Sequence, residues 1–308
     1  MDVKKLILNF AARVDAEALP VEAIYVYQGD KFVTAHRWAA DRPRNIYSHT
    51  KSFTSTAVGL AVGDGLLSLD DRPAAFFPEA LPENPAPEWE KVTLRDMLMM
   101  SSGIGESLLM EEDRRKGVGS PDYVRFLFEH GFQYSPGTRF HYSNGNTYLT
   151  GRMVEKVTGK DLCDFLMERL FQPMNIPRPQ WERCPKMHAF GAGGMWLRTE
   201  DMMKLGRLYL NGGMWNGIRL LDQAWIAEAT RKRIDTPPSD NGTGLNCGYG
   251  YQFWMCPYPG AYRADGKYCQ YTVVLPEAEA VVGMQCAEAD RSSDIQVAVH
   301  EEVLERIK

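Results

Sequence analysis

A serine and a lysine stand three residues apart in the segment NIYSHTKSFTS, at Ser48 and Lys51. Apolar residues follow at helical spacing, so the pair is predicted to share one face of a helix at its first turn. A serine hydroxyl becomes a strong nucleophile only when a base accepts its proton, and a lysine with a lowered pKa can be that base. The spacing indicates an activated serine, although a capping serine beside a solvated lysine has the same pattern.

A second candidate segment, SPGTRFHYSNGNTYLTG, spans residues 135–151 and places Tyr142, Ser143 and Asn144 just before a predicted helix. A tyrosine beside a cationic lysine loses its proton more readily, so Tyr142 is a candidate base. Asn144 is a candidate for positioning Lys51 or a substrate amide. The alternative interpretation is a surface turn with an asparagine cap.

A third segment, YRADGKYCQYTVVLPE, spans residues 262–277 and is predicted to be a strand that contains Gly266. Glycine inside a strand often marks the close approach of another backbone or of a ligand. If this strand is an edge strand beside Ser48, it can offer a backbone N–H group to an oxyanion.

Together these segments resemble the serine β-lactamase and penicillin-binding-protein superfamily, in its class C-like, esterase-like branch. Ser48-His49-Thr50-Lys51 is similar to its S-x-x-K motif, and Tyr142-Ser143-Asn144 is similar to its Y-x-N motif. The resemblance covers about residues 22–300. Supporting stretches include KSFTSTAVGLAVGDGLLSLDD, VTLRDMLMMSSGI and GAGGMWLRTEDMMKLGRLYLNGGMWNG.

The resemblance implies a role for each motif residue. Ser48 would attack a carbonyl and become acylated, with Lys51 and Tyr142 as the proton-transfer unit. The backbone N–H groups of Ser48 and Lys267 would form the oxyanion hole, and Asn144 would hold Lys51. No metal and no cofactor are implied.

The third motif departs from the family pattern, because Ala264-Asp265-Gly266 stands where the family has K-T-G. The motif lysine is absent and an acidic residue is present, which argues against typical β-lactam specificity. Arg263 and Lys267 are candidate replacements for the missing cation. Side chains alternate along a strand, so neither is expected to point in the direction of Ala264.

Strand-like segments lie at both ends of the chain, and the residues between them are mostly helical. This order predicts an α/β (α+β) fold of the β-lactamase/transpeptidase type, forming a single catalytic domain over 1–308. An antiparallel sheet would come from residues 1–47 and 231–308, flanked by the terminal helices, with a helical subdomain inserted at 48–230. The expected strands include a hairpin around Gly29-Asp30 and the segments YGYQFWMC, AYRADG, YCQYTVVLP and AEAVVGMQC.

Composition narrows the classes of partner. The chain has 308 residues, of which 44% are hydrophobic, and a formal net charge of −5 without a Lys/Arg block, so nucleic acid is not an expected partner. No apolar run is long enough to span a membrane, and the N-terminal segment is predicted to be an amphipathic helix rather than a signal peptide. Six cysteines without a C-x-x-C motif indicate reduced thiols in a cytoplasmic protein.

The leading interpretation is a serine hydrolase that acts on small esters, amides or peptide-like molecules. A true β-lactamase or D,D-peptidase is the alternative enzyme. A catalytically weak relative that binds an acyl or peptide ligand is the alternative outside the enzymes. The charged segment MEEDRRKG, residues 110–117, is expected to be a solvated loop or a lid over the site.

Overall fold

The computed structural model describes residues 2–238 and 241–307 of the chain. It is a mixed structure of helices and antiparallel sheets. The strands are β1 (Val21–Gln28), β2 (Lys31–Arg37), β3 (Arg44–Asn45), β4 (Gln180–Trp181), β5 (Met195–Leu197), β6 (Met214–Trp215), β7 (Ile218–Arg219), β8 (Trp254–Met255), β9 (Tyr262–Gly266), β10 (Gln270–Leu275) and β11 (Ala280–Cys286). The α-helices are α1 (Val3–Glu17), α2 (Thr50–Gly63), α3 (Pro73–Phe76), α4 (Leu94–Leu98), α5 (Glu111–Arg115), α6 (Tyr123–Phe128), α7 (Asn144–Thr158), α8 (Leu162–Leu166), α9 (Thr199–Leu210), α10 (Gln223–Ala229) and α11 (Ser292–Val299).

The main sheet joins the two ends of the chain. Its six strands have the order β2-β1-β11-β10-β9-β8, and each neighbouring pair is antiparallel. The β1–β2 hairpin turns at Gly29-Asp30, as predicted, with Gln28 paired to Lys31. The predicted fold class is confirmed, since an N-terminal and a C-terminal set of strands form one sheet. The boundaries of the two subdomains stay a prediction.

This sheet lies between two layers of helices. Its outer face is covered by α1 and α11, whose buried side chains pack with those of β1, β10 and β11. Its inner face carries α9 and the larger apolar core that continues into the helical part. Burying one aliphatic side chain in such a layer contributes roughly 1.5–3 kcal/mol, so both layers hold the strands in register.

Helix α2 runs through the middle of the molecule, and it carries the predicted motif lysine. Twelve of its residues, Thr50–Ala61, are buried, which is the burial pattern of a core helix. Its hydroxyl side chains donate to backbone carbonyls of neighbouring segments, as Ser52 does to Gln252 and Ser55 to Tyr251, both at 2.7 Å. These bonds satisfy polar groups that would otherwise be costly to bury.

The predicted strand at residues 249–256 is mostly wrong, because only Trp254–Met255 pairs as a strand. Gln252 adopts a left-handed conformation with φ of 65°, which breaks an extended chain. The Tyr251 N–H donates to Ala229 at the end of α10, at 2.9 Å. Aromatic residues and alternation favoured a strand here, but contacts with α2 and α10 decided the local conformation.

Candidate active site

Ser48 lies in a tight 3₁₀ turn, Tyr47–His49, directly before α2. Tyr47 has φ of 47°, a conformation that is unfavourable for a bulky residue, and its N–H donates to Asn45 Oδ1 at 2.8 Å. The turn leaves Ser48 half-buried on the wall of a cavity of about 960 Å³. A nucleophile at a helix N-terminus benefits from the unpaired N–H groups there, which favour developing negative charge.

Lys51 is buried one helical turn after Ser48, with three oxygen atoms around its amine. Its Nζ lies 3.1 Å from Ser48 Oγ. It also lies 2.6 Å from Asn144 Oδ1 and 2.6 Å from the carbonyl oxygen of Ala192. Burial lowers the pKa of Lys51 well below its usual value, and the positive charge of Arg114 lowers this pKa further.

A neutral amine fits these three oxygens in one arrangement. Asn144 Oδ1 and the Ala192 carbonyl can only accept, so they take the two N–H hydrogens of the neutral Lys51 amine. The nitrogen lone pair is then available to the proton of Ser48. In this arrangement Lys51 can act as a general base towards the Ser48 hydroxyl.

Tyr142 lies next to Ser48, close enough for the serine hydroxyl to lower the pKa of the tyrosine. Lys51 Nζ is 4.9 Å from the centroid of its ring, and Trp254 stacks on the ring at a centroid distance of 6.0 Å. Burial raises the pKa of Tyr142, an effect that the Ser48 hydroxyl opposes and the charge of Asp265 reinforces.

Burial thus works against the expected easier loss of a proton from Tyr142, and its role as a base stays a prediction. Burial also lowers the pKa of Lys51, so the cationic form of the amine that this expectation requires is disfavoured. Tyr142 is present as a phenol that can donate a hydrogen bond or relay a proton.

Asn144 is the first residue of α7, and both ends of its amide are in use. Its Oδ1 accepts from Lys51, and its Nδ2 donates to the Leu109 carbonyl at 3.0 Å. The second bond determines the orientation of the amide, so the oxygen must face the lysine. Asn144 therefore holds Lys51, and because its amide has a second N–H and the residue lines the cavity, a contact with a substrate amide stays a prediction.

The third motif lies where β9 passes the Ser48 turn. Strand β8 covers only the first two residues of β9, Tyr262 and Arg263, so Ala264–Gly266 form an open edge. A Cβ atom at Gly266 would lie 2.1 Å from the Ile46 carbonyl oxygen, which shows how closely β9 approaches the turn. Ala264 is buried. Lys267, which directly follows Gly266, lines the cavity together with Ser48.

Gly266→Ala tests this close approach. The added methyl group must displace the backbone of the Ser48 turn, and we expect a loss of about 1–3 kcal/mol in the free energy of unfolding. Urea unfolding measures the loss. Gly131→Ala is the matched control, since a Cβ at Gly131 meets open space, and its effect should stay within about 0.5 kcal/mol. Equal stability of the two variants would contradict the packing described here.

Asp265 and Arg263 form a buried ion pair on the opposite face of β9. Arg263 is 1% exposed, and its Nε lies 2.9 Å from Asp265 Oδ2. The guanidinium also donates to the Leu245 carbonyl and to Asn246 Oδ1. Arg263 is thus committed to internal partners and does not line the cavity. It cannot replace the missing motif lysine, and its charge compensates that of Asp265.

Lys267 is the other candidate for the missing cation, and it does lie at the cavity. Its side chain is 57% exposed, and its Nζ is 3.9 Å from Glu111 Oε2, a weak contact. The side chain is therefore free to reach a substrate, while its backbone N–H remains the candidate for the oxyanion hole.

The sequence interpretation missed several groups that surround Lys51. Ala192 and Leu109 contribute only backbone carbonyls, for which a side-chain motif gives no signal. Arg114 belongs to the charged segment 110–117, whose expected exposure is wrong for this residue, since its side chain is 9% exposed. The helix α5 in this segment forms part of the cavity wall.

Residues 2–238 and 241–307 contain no group of three or more His, Cys, Asp or Glu side chains that could hold a metal ion. None of the helices in these ranges combines the length and the apolar character needed to cross a bilayer.

Comparisons with known proteins give two curated relatives of different substrate type. A lovastatin esterase from Penicillium rubens is 31% identical over 185 residues, covering 54% of this chain and 46% of the esterase. A D-aminopeptidase from Brucella anthropi is 29% identical over 174 residues, covering 51% of this chain and 32% of that enzyme. The matched segments span less than half the length of either relative.

Solved structures and a family model cover more of the chain. An octameric penicillin-binding protein homologue from Pyrococcus abyssi has a TM-score of 0.79 at 22% identity, covering 99% of this chain and 78% of the homologue, and this likeness shows the fold. The family model described as Beta-lactamase matches residues 7–299. Because that match spans nearly the whole chain, the protein belongs to the beta-lactamase family.

Proposed function

We propose that this protein is a serine hydrolase that cleaves small esters or amides through an acyl-enzyme on Ser48. The observation that carries the proposal is the arrangement around Lys51, whose buried amine meets two acceptors and the hydroxyl of Ser48. A lysine placed only for structure would not need a serine hydroxyl as its third neighbour on the wall of a cavity.

The proposed reaction has two halves. Lys51 takes the proton of Ser48 as Oγ attacks the substrate carbonyl carbon, and the N–H groups of Ser48 and Lys267 bind the resulting oxyanion. The proton then passes to the leaving alcohol or amine, either from Lys51 directly or through the Tyr142 hydroxyl, and the acyl-enzyme remains. Water attacks the acyl group in the second half, and its proton returns by the same groups to regenerate Ser48.

The names of the relatives support both substrate types. The esterase suggests that esters enter such a site, and the aminopeptidase suggests amides. Since each match spans less than half of the relative, the choice between esters and amides belongs to the proposal. A panel of p-nitrophenyl esters, D-amino-acid amides and β-lactams, with kcat/KM for each, decides it.

Covalent labelling tests the proposed nucleophile directly. A fluorophosphonate should add once to the protein, as read by intact mass, and peptide mapping should place the adduct on Ser48. An adduct on Ser102 or Ser143 would contradict the assignment. Absence of both labelling and turnover across the panel would instead favour a catalytically weak relative that binds an acyl or peptide ligand.

We expect esters to react better than β-lactams. A typical β-lactam carries a carboxylate that the family's third-motif lysine helps to bind, and Ala264 offers only a methyl group. Losing a charge-assisted contact costs about 1.5–3 kcal/mol, which corresponds to roughly ten- to a hundredfold in kcat/KM. The measurement compares a chromogenic cephalosporin with a p-nitrophenyl ester of a short acid.

A cephalosporin kcat/KM near about 10⁶ M⁻¹s⁻¹ would contradict this preference and favour the alternative of a true β-lactamase or D,D-peptidase. Lys267 is then the cation to test, because its exposed side chain lies at the cavity. Lys267→Gln keeps the backbone N–H, so it should lower turnover of the anionic β-lactam and leave turnover of a neutral ester nearly unchanged.

A further inference from the structure

Arg114 is a buried cation on the cavity wall that belongs to neither motif. Its Nε and Nη2 donate to the two carboxylate oxygens of Glu182, each at 2.9 Å. Its guanidinium lies over the ring of Phe190, with Cζ 3.9 Å from the centroid. A bidentate pair of this kind, shielded from water on the arginine side, holds the guanidinium in one orientation.

A third donor links Arg114 to the asparagine that holds Lys51. Arg114 Nη1 donates to the Leu109 carbonyl at 2.7 Å, and Asn144 Nδ2 donates to the same oxygen at 3.0 Å. Leu109 has φ of 58°, which is unfavourable for leucine and must be maintained by its surroundings. The two bonds to its carbonyl provide such support. Arg114 is therefore connected to Lys51 through one shared acceptor and one amide.

Glu182 connects Arg114 to the other acceptor of Lys51. The Glu182 N–H donates to the Gly194 carbonyl at 2.9 Å, and the Phe190 N–H donates to the Glu182 carbonyl at 2.8 Å. Ala192, whose carbonyl accepts from Lys51, lies between Phe190 and Gly194 in the chain. The pair of Arg114 and Glu182 thus joins the two chain segments that position both acceptors of the lysine.

We propose that Arg114 is a positioning residue of the Ser48–Lys51 pair, because it fixes both acceptors of Lys51 and holds a permanent positive charge near the amine. The proposal rests on the proposed function. The charge opposes protonation of the amine and adds to the effect of burial in lowering the pKa of Lys51. The Glu182 carboxylate offsets part of the Arg114 charge, so the strength of the repulsion at the Lys51 amine depends on both members of the ion pair.

The other titratable groups around Lys51 are neutral or paired, so the charge of Arg114 is the one that a substitution can change near the amine. Ser48 and Tyr142 face the amine and are neutral, and Asp265, which acts on Tyr142, is paired with Arg263. His49 follows Ser48 in the turn, and burial lowers its pKa to about 3, so it stays neutral.

Neutralising each member of the Arg114–Glu182 pair in turn gives a test with shifts of opposite sign. Arg114→Gln leaves Glu182 unpaired, which should raise the pKa of Lys51 and move the acid limb of the kcat/KM profile up by about 0.5–1 pH unit. Glu182→Gln leaves Arg114 unpaired, which should move the limb down. The double variant restores a net charge of zero, so its limb should return towards that of the wild type.

The size of the effect depends on pH. On the acid limb, Arg114→Gln should lower kcat/KM about three- to tenfold, and the loss should shrink at pH values above the limb. Arg114→Lys keeps the charge and should keep the limb in place. Arg125→Gln is the matched control, since Arg125 lies on the exposed surface of α6, paired with Glu129 and away from the cavity. Equal losses at every pH, with an unmoved limb, would mean a merely structural role and overturn the proposal.

A measurement without substrate separates this inference from the proposed function. Between its folded pKa and about 10.4, Lys51 is neutral when folded and charged when unfolded, so the free energy of unfolding falls as pH falls. Arg114→Gln should raise the pKa of Lys51 in the folded protein and so shorten the pH interval over which Lys51 is neutral only when folded. The free energy of unfolding of this variant should therefore depend less on pH than that of the wild type. Identical pH dependence in the two proteins would overturn the role of Arg114 even if the protein hydrolyses esters.

Discussion

Ser48→Ala is expected to abolish fluorophosphonate labelling and to lower kcat for the best substrate by about 10⁵–10⁶-fold. Removing the nucleophile of a serine hydrolase leaves only the contribution of substrate binding and of the oxyanion hole, and the loss in such enzymes reaches this scale. The variant lacks only the atom that forms the acyl bond. Lys51 keeps its two other acceptors, Asn144 Oδ1 and the Ala192 carbonyl, so the fold should be retained.

Two controls make the Ser48→Ala result specific. Ser293→Ala changes an exposed serine of α11 and should label and turn over as the wild type does. The thermal unfolding midpoint of Ser48→Ala should match that of the wild type within a few degrees, which separates loss of chemistry from loss of structure. Residual turnover above about 1% of the wild-type rate would mean that another residue carries the reaction.

The sequence was sufficient to place the core of the site because its key spacings are local. Ser48 lies in the turn that leads directly into α2 and Lys51 lies in the first turn of that helix, so the two are close once this local segment folds. Tyr142 lies shortly before α7 and Asn144 is its first residue, and α7 packs against α2; only the resemblance to a known family linked these residues to Lys51. Local spacing and the family resemblance together predicted four side chains that the structure brings close to one another.

Backbone groups and long-range contacts could not be predicted in the same way. The Ala192 carbonyl and the Leu109 carbonyl bind the lysine and the asparagine, yet any residue type supplies a carbonyl. Arg114 stands in a run of charged residues that is typical of a solvated loop, and its low exposure comes with contacts to Glu182 and Phe190 that no local pattern predicts. Gln252 carries no turn signal, yet it breaks a predicted strand.

Lys51→Met and Tyr142→Phe are expected to be strongly non-additive. In the proposed mechanism both residues act on the same proton, that of Ser48, so removing either would break one transfer path. We expect Lys51→Met to lower kcat/KM by about 10³–10⁴-fold and Tyr142→Phe by about 10²-fold, within the range for loss of a general base or acid. The double variant should be no slower than Lys51→Met within about threefold, whereas independent roles would give a loss near 10⁵–10⁶-fold.

The pH profile of the same variants distinguishes the base from its partner. Burial lowers the pKa of Lys51 and raises that of Tyr142, so the site favours a neutral amine beside a phenol. Activity should fall as pH falls through the lowered pKa of Lys51, because protonation removes the lone pair. Tyr142→Phe should keep that acid limb and Lys51→Met should lose it. If Tyr142→Phe instead erased the limb while Lys51→Met kept it, the tyrosine would be the base and the assignment of Lys51 would be wrong.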